Sequence, residues 1–220
     1  MVREGVADFV YNPLSYAWEV HEEFIRRTGG NGAKCVLLGM NPGPHGMGQM
    51  GIPFAATSVV RELIGITGIS VEKPEKTHPK RPVNGLEHPK EEVSGTRLWG
   101  VLEQRYGGIE KISQEVFIVN HCPLMILNGE MGANVTPNNI AGQAVKDLMG
   151  ICDQHLREVV DALGATKVVG IGKYAEKRAV SALHGSGISI ETCWHPSPAS
   201  PLANKNGGAD WRANINKVLP

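Results

Sequence analysis

The chain reads as an α/β protein, a three-layer α/β/α sandwich built on a short, mainly parallel central sheet. Two observations predict this. Apolar runs too short to be helices recur at 35–40 (CVLLGM), 116–120 (VFIVN), 167–172 (KVVGIG) and 188–193 (ISIETC), with helical patterns between them. Strands buried on both faces and alternating with helices are the mark of a parallel sheet covered on both sides. A length of 220 residues with 41% hydrophobic content fits one domain over 1–220 with a substantial core.

The elements follow in order. Ala17, Val20, Phe24 and Ile25 recur at helical spacing and predict a helix over 15–27, ended by Gly29 and Gly30. After the first strand, positions 40–60 hold no charged residue but dense Gly and Pro, the composition of a loop wrapped around a ligand. Thr57 or Ser58 is expected to cap a helix reaching about residue 64. Residues 71–95, rich in Pro, Lys and Glu and without periodicity, read as an excursion over the surface, followed by a helix over 96–105. Thr136 and Pro137 read as the cap and first position of another helix, since proline at a helix start forfeits no needed hydrogen bond. Further helical patterns cover 151–163 and 174–183.

Charge and cysteine content narrow the function classes. With 22 basic and 22 acidic residues the chain is not coated in positive charge. Locally, residues 73–90 set Lys73, Lys76, Lys80, Arg81 and Lys90 against Glu75 and Glu87, and residues 194–217 set Lys205, Arg212 and Lys217 against Asp210. Such modest basic patches suit a short nucleic-acid footprint or plain solvated surface. Cys35, Cys122, Cys152 and Cys193 show no CxxC pairing and read as buried free thiols, so no metal and no cofactor is expected. The opening MVREGVADFVYN lacks the apolar run of a signal peptide, and no stretch approaches a membrane span. The expectation is a soluble intracellular monomer with no membrane partner, in the cytoplasm or nucleoid of a prokaryote or the nucleus of a eukaryote.

Three polar clusters sit where strands end: GMNPGP (39–44), NHCPL (120–124) and HPSP (195–198). That edge of a parallel sheet is where ligands bind. Asn41, Asn120 and His195 converge there with no carboxylate among them, a set suited to a flat, neutral, hydrogen-bonding molecule. Taken singly, each has a plainer reading: His195 as a strand-end histidine bonded to backbone, Asn41 as a turn residue before proline, Phe54 as core.

Motif context changes those readings. GMNPGPHGMGQMGIPF (39–54), PKRPVNGLEHP (79–89), EVSGTRLWG (92–100), VNHCPL (119–124), KVVGIGKYAEKRA (167–179) and the closing HPSP together resemble, in order, the single-strand-selective monofunctional uracil-DNA glycosylases of the uracil-DNA glycosylase superfamily. The resemblance implies a uracil-DNA glycosylase-like fold and an enzyme that removes uracil, and possibly 5-substituted uracils, from single-stranded or duplex DNA to begin base excision repair. It makes His195 the donor to the uracil oxygen where charge collects. Asn41 stands where other branches carry a water-activating aspartate, and an amide can position water but not deprotonate it. Asn120 would read the uracil edge, Phe54 would stack on its face, and the backbone of Met40 and Asn41 would touch it. Gly43 would leave room beside the 5-position. Ser197 and its Pro-flanked turn would grip a phosphate, and Pro44, Pro198, Ala199, Ser200, Lys205, Asn134 and Thr136 fall at DNA-contacting positions. No site residue is a lysine, so Schiff-base strand cleavage is not implied. The cysteine spacings do not resemble the iron-sulfur pattern of another branch.

The chain also departs from the family. Ala199 and Ser200 replace a basic residue and asparagine that enter the duplex, and the compact ANKGW is opened by NGGAD before Trp211. His45 replaces an aromatic residue and Met50 a threonine. Two alternatives stay open: a glycosylase preferring another base, such as xanthine, hypoxanthine or 5-hydroxymethyluracil, and a catalytically idle module that binds damaged or single-stranded DNA.

Overall fold

The computed structural model describes residues 1–2 and 5–220. The chain begins with β1 (Phe9–Tyr11), α1 (Pro13–Tyr16), α2 (Trp18–Thr28), β2 (Cys35–Gly39) and α3 (Met47–Met50), followed by a π-helical turn at Val59–Leu63. It continues through α4 (Val93–Tyr106), α5 (Ile109–Glu115), β3 (Val116–Asn120), β4 (Met125–Asn128) and β5 (Ala133–Asn134). The last third holds α6 (Gln143–Leu163), β6 (Lys167–Ile171), α7 (Lys173–Ala182), β7 (Ser189–Cys193), α8 (Pro201–Asn204) and α9 (Ala209–Asn216).

The central sheet is parallel with spatial order β3-β2-β6-β7. Alternation along β2 divides the core. Cys35 and Leu37 face a cluster that includes Phe24 of α2, Leu98 and Leu102 of α4, Ile112 of α5 and Trp211 of α9. Val36 and Leu38 face Leu156 and Val160 of α6 and Ala175 and Ala179 of α7. Two helical layers therefore cover the sheet, as expected. β2 is flanked by β3 on one side and β6 on the other, so the chain reverses its winding there and opens a crevice at the carboxyl ends of the strands.

α7 lies unusually close to the sheet. Its buried face is alanine, and a Cβ at Gly170 would stand 2.4 Å from the Glu176 amide nitrogen. Gly170 is thus required by backbone approach.

Several expectations are corrected. A second, antiparallel sheet of order β1-β4-β5 was not foreseen, and neither were α5, α8 and α9. Strands of three, four and two residues carry too little alternation to register. Neither Thr57 nor Ser58 caps with its side chain, because the Thr57 hydroxyl donates to the His88 carbonyl at 3.2 Å and Ser58 is already helical. Residues 71–95 are not a mere surface excursion: His78, Val83 and Leu86 are buried. Only a 3-10 turn, Pro137–Asn139, follows Thr136, and α4 and α6 begin earlier than periodicity suggested. The four cysteines are buried free thiols.

Gly170→Ala should destabilise the fold by about 1–3 kcal/mol, because backbone must move to admit the methyl group. Urea unfolding measures this, and an unchanged midpoint would mean that α7 slides freely.

Candidate active site

Pairing of β2 with β3 sets Gly39 opposite Asn120. The register runs on past the strands, with the His121 amide donating to the Gly39 carbonyl at 3.0 Å and the Cys122 amide to the Met40 carbonyl at 2.9 Å. Asn120 is buried, and a Cβ on Gly39 would lie 2.1 Å from its Oδ1 and 2.6 Å from Phe54 Cε2. Only glycine lets both side chains occupy this floor. The Asn120 amide donates to Met47 Sδ at 3.2 Å, while its Oδ1 accepts no protein hydrogen bond among the described residues.

The loop after β2 is held from several sides. Tyr16 donates to the Gly48 carbonyl at 2.6 Å. Gln49, fully enclosed, donates to the carbonyls of Pro44 at 2.8 Å and Pro82 at 3.0 Å and accepts from the Asn84 amide at 2.7 Å. The loop ends at Phe54, whose φ of 53° is left-handed, and the carbonyl of Phe54 lies 2.1 Å from where a Gly95 Cβ would be. Asn41 is fixed by a reciprocal pair: its amide donates to Asn134 Oδ1 at 3.2 Å, and the Asn134 amide donates to the Pro42 carbonyl at 3.0 Å. The small antiparallel sheet, which carries Asn134 on β5, thereby positions a residue of the central one.

His195 follows β7 in a turn clamped by α4 and α9. Trp211 donates to the Trp194 carbonyl at 2.8 Å, and Asn214 accepts from the Trp194 amide at 2.8 Å. Arg97 donates to the Pro196 carbonyl at 3.0 Å and to Asn204 Oδ1 at 2.9 Å, and Asn204 donates to the Pro198 carbonyl at 2.7 Å. The Ser197 amide donates to His195 Nδ1 at 3.1 Å, which leaves the proton of the neutral ring on Nε2. Burial pushes the imidazole below its ordinary value of 6.5. The Phe54 and His195 rings are 5.9 Å apart and tilted by 41°.

These elements enclose a cavity of about 300 Å³. Of the residues expected from sequence, Met40, Asn41, Gly43, Phe54, Asn120, Asn134, Thr136, His195 and Ser197 line it. Pro44, Pro198, Ala199, Ser200 and Lys205 lie outside. The Pro44 carbonyl holds Gln49, Ser197 Oγ accepts from the Ala199 amide at 3.1 Å, Ser200 caps α8, and Lys205 sits 3.6 Å from Asp210. His45 is absent from the lining and stacks on His88, with Nδ1 to Nε2 at 2.9 Å, while Met50 is fully buried. Met47, Glu92 and Ser94 line the cavity but were not singled out, and neither was Gly39. The run EVSG carried the only signal for two of them.

The ring of His195 should titrate below 6.5, because its environment disfavours the cation. An unfolded chain binds that proton more readily, so the stability contributed is complete above 6.5 and is lost as pH falls. NMR of the ring nitrogens checks both tautomer and midpoint; a midpoint above 7 would contradict this geometry.

Comparison with known proteins agrees with this architecture. The profile of the uracil DNA glycosylase superfamily matches residues 27–219. The chain is 43% identical over 211 residues to the single-strand selective monofunctional uracil DNA glycosylase of Bos taurus, covering 95% of this chain and 77% of the relative. Identity to that of Rattus norvegicus is 44% over 211 residues, with 95% and 75% covered. Among solved structures, wild-type SMUG2 of Pedobacter heparinus superposes with a TM-score of 0.65 at 19% identity, covering 95% of this chain and 84% of that one.

Proposed function

The chain belongs to the uracil DNA glycosylase superfamily, and from that premise we propose that it is a monofunctional uracil-DNA glycosylase that hydrolyses the N-glycosidic bond of uracil in DNA and initiates base excision repair. The observation that carries the reading is the meeting of Asn41, Asn120 and His195 in one cavity beside the ring of Phe54. No helix among the described residues is long and apolar enough to cross a membrane.

Cleavage between base and deoxyribose leaves positive charge on the sugar and negative charge on the base. His195 Nε2-H, aimed by the Ser197 amide on the opposite nitrogen, donates to the uracil oxygen on which that charge collects. A preorganised donor of this kind contributes roughly 10²- to 10³-fold in rate. Asn120 Oδ1 accepts from uracil N3-H, and its amide transfers from Met47 Sδ, a weak acceptor, to uracil O4. Cytosine presents the reverse pattern and is refused. Asn41, oriented by Asn134, holds the attacking water. Nothing lies within 4 Å of a Cβ built on Gly43, which supports acceptance of small 5-substituents.

From Ser197 at the cavity edge outward, Pro198, Ala199, Ser200 and Lys205 form the surface for the DNA backbone, and the chain acts as a monomer on single strands and duplex. Leu202, 48% exposed on α8, is the apolar group placed to enter the stack. With Ala199 beside it, duplex opening lacks a cationic plug, and weakly paired sites are favoured because they cost less to open.

Wild-type protein should release uracil from a single-stranded oligonucleotide without nicking it. His195→Ala should lower the single-turnover rate by about 10²- to 10³-fold with binding largely retained. Near wild-type turnover would remove His195 from the chemistry, and borohydride trapping of a protein-DNA adduct would end the monofunctional reading. Ala199→Arg should raise excision from duplex more than from single strands. Equal gains would assign duplex opening to another element.

A further inference from the structure

Glu92 brings a carboxylate into a cavity whose other lining residues carry none. It lines the same space as Asn41, Asn120 and His195. Its stem runs against Gly46, where a Cβ would meet Glu92 Cγ at 2.8 Å, so that glycine makes room for it. As the N-cap of α4 it accepts from the Gly95 amide at 2.7 Å and the Ser94 amide at 3.2 Å, and the Ser94 hydroxyl also acts to lower its pKa. An ionised carboxylate offers about four lone-pair sites. The two cap amides leave others free, and Glu92 is one of the residues that line the cavity. Asn41, by contrast, has no basic lone pair with which to take a proton at neutral pH.

Resting on the glycosylase reading above, we propose that Glu92 is a catalytic carboxylate of this site, its charge facing the sugar cation and a free lone pair accepting the proton of the attacking water. The bond from C1′ to N1 breaks and its electron pair leaves with uracil, which stays hydrogen-bonded to His195. A water lone pair forms the bond from C1′ to oxygen, and the proton released moves to the carboxylate. Glu92 later gives that proton to solvent or to the departing uracil anion, which restores the starting state.

Burial raises this carboxyl above its ordinary 4.5, opposed by the Ser94 and Gly95 hydrogen bonds. His195 is the titratable group that shares the cavity, and no charged group contributes to either shift. A raised carboxyl is a better proton acceptor, and activity then falls as pH drops through its pKa.

Single-turnover excision of uracil, measured from pH 4.5 to 8, tests the assignment alongside binding to an uncleavable 2′-fluorinated uracil oligonucleotide. Glu92→Gln should slow excision about 10²-fold with binding kept within a few fold, and should abolish the acid limb due to the carboxyl. Glu92→Asp, which retains charge and cap, should recover part of the rate. Ser94→Ala leaves the charge and both backbone hydrogen bonds in place but removes a hydroxyl that lowers the pKa, so the limb should move to higher pH. This variant keeps the test decisive if Glu92→Gln folds poorly. Excision by Glu92→Gln within threefold of wild type, or a limb unmoved in Ser94→Ala, would leave Glu92 a helix cap and the glycosylase reading intact. Failure of the wild type to release uracil would overturn both.

Discussion

The site depends first on a backbone constraint, the parallel pairing of β2 with β3 and its continuation beyond the last strand residues. Two amide-carbonyl hydrogen bonds after the strand ends keep Met40 and Asn41 level with Asn120 to Cys122. One residue of slippage would turn every β2 side chain to the opposite face and exchange the two halves of the core. The register is therefore defended by the hydrophobic layers on both sides, and the placement of Asn120 inherits that defence. Side-chain chemistry at the cavity floor is thus a consequence of core packing some distance away.

The support then becomes progressively more local. Gln49 uses both of its side-chain donors and one of its two acceptor lone pairs to tie the first loop to residues 82–84, and Arg97 with Asn204 does the same for the turn after His195. Gln49 is enclosed, Arg97 half-enclosed and Asn204 exposed, and their partners are mostly backbone carbonyls, so they fix where the chain runs. After the end of β3, a half-buried set in which buried His121 meets Tyr174 at 3.0 Å and Asp153 at 2.9 Å, with Arg178 on the same carboxylate, joins the strand to α6 and α7. Such sets rigidify a structure when every member is satisfied.

The central layer was legible because continuous apolar runs such as VFIVN leave few alternatives to a buried strand, and β3 falls on the residues that this pattern marked. Glycine-rich, uncharged sequence after β2 likewise announced an enclosing loop. The antiparallel sheet was not legible, since β1 pairs with β4 more than a hundred residues later and neither strand is long enough to declare itself. α8 was obscured because Ser200 and Pro201 are equally at home in a turn, although Ser200 in fact caps the helix. Nine of the expected site residues meet around one cavity because motifs at strand ends share an edge by topology. Glu92 escaped for a different reason: nothing in local sequence tells on which side of a cap the carboxylate opens.

Phe54 has a consequence of another kind. A left-handed backbone costs an ordinary residue about 1–2 kcal/mol, and glycine would escape that penalty. The same substitution would remove the aromatic face beside His195. That ring is also buried in the main core, and truncating it would cost about 3–5 kcal/mol, more than glycine would recover. The strained backbone is therefore held in place by the packing of its own side chain, and the ring that closes the core on one side is the aromatic wall of the cavity on the other.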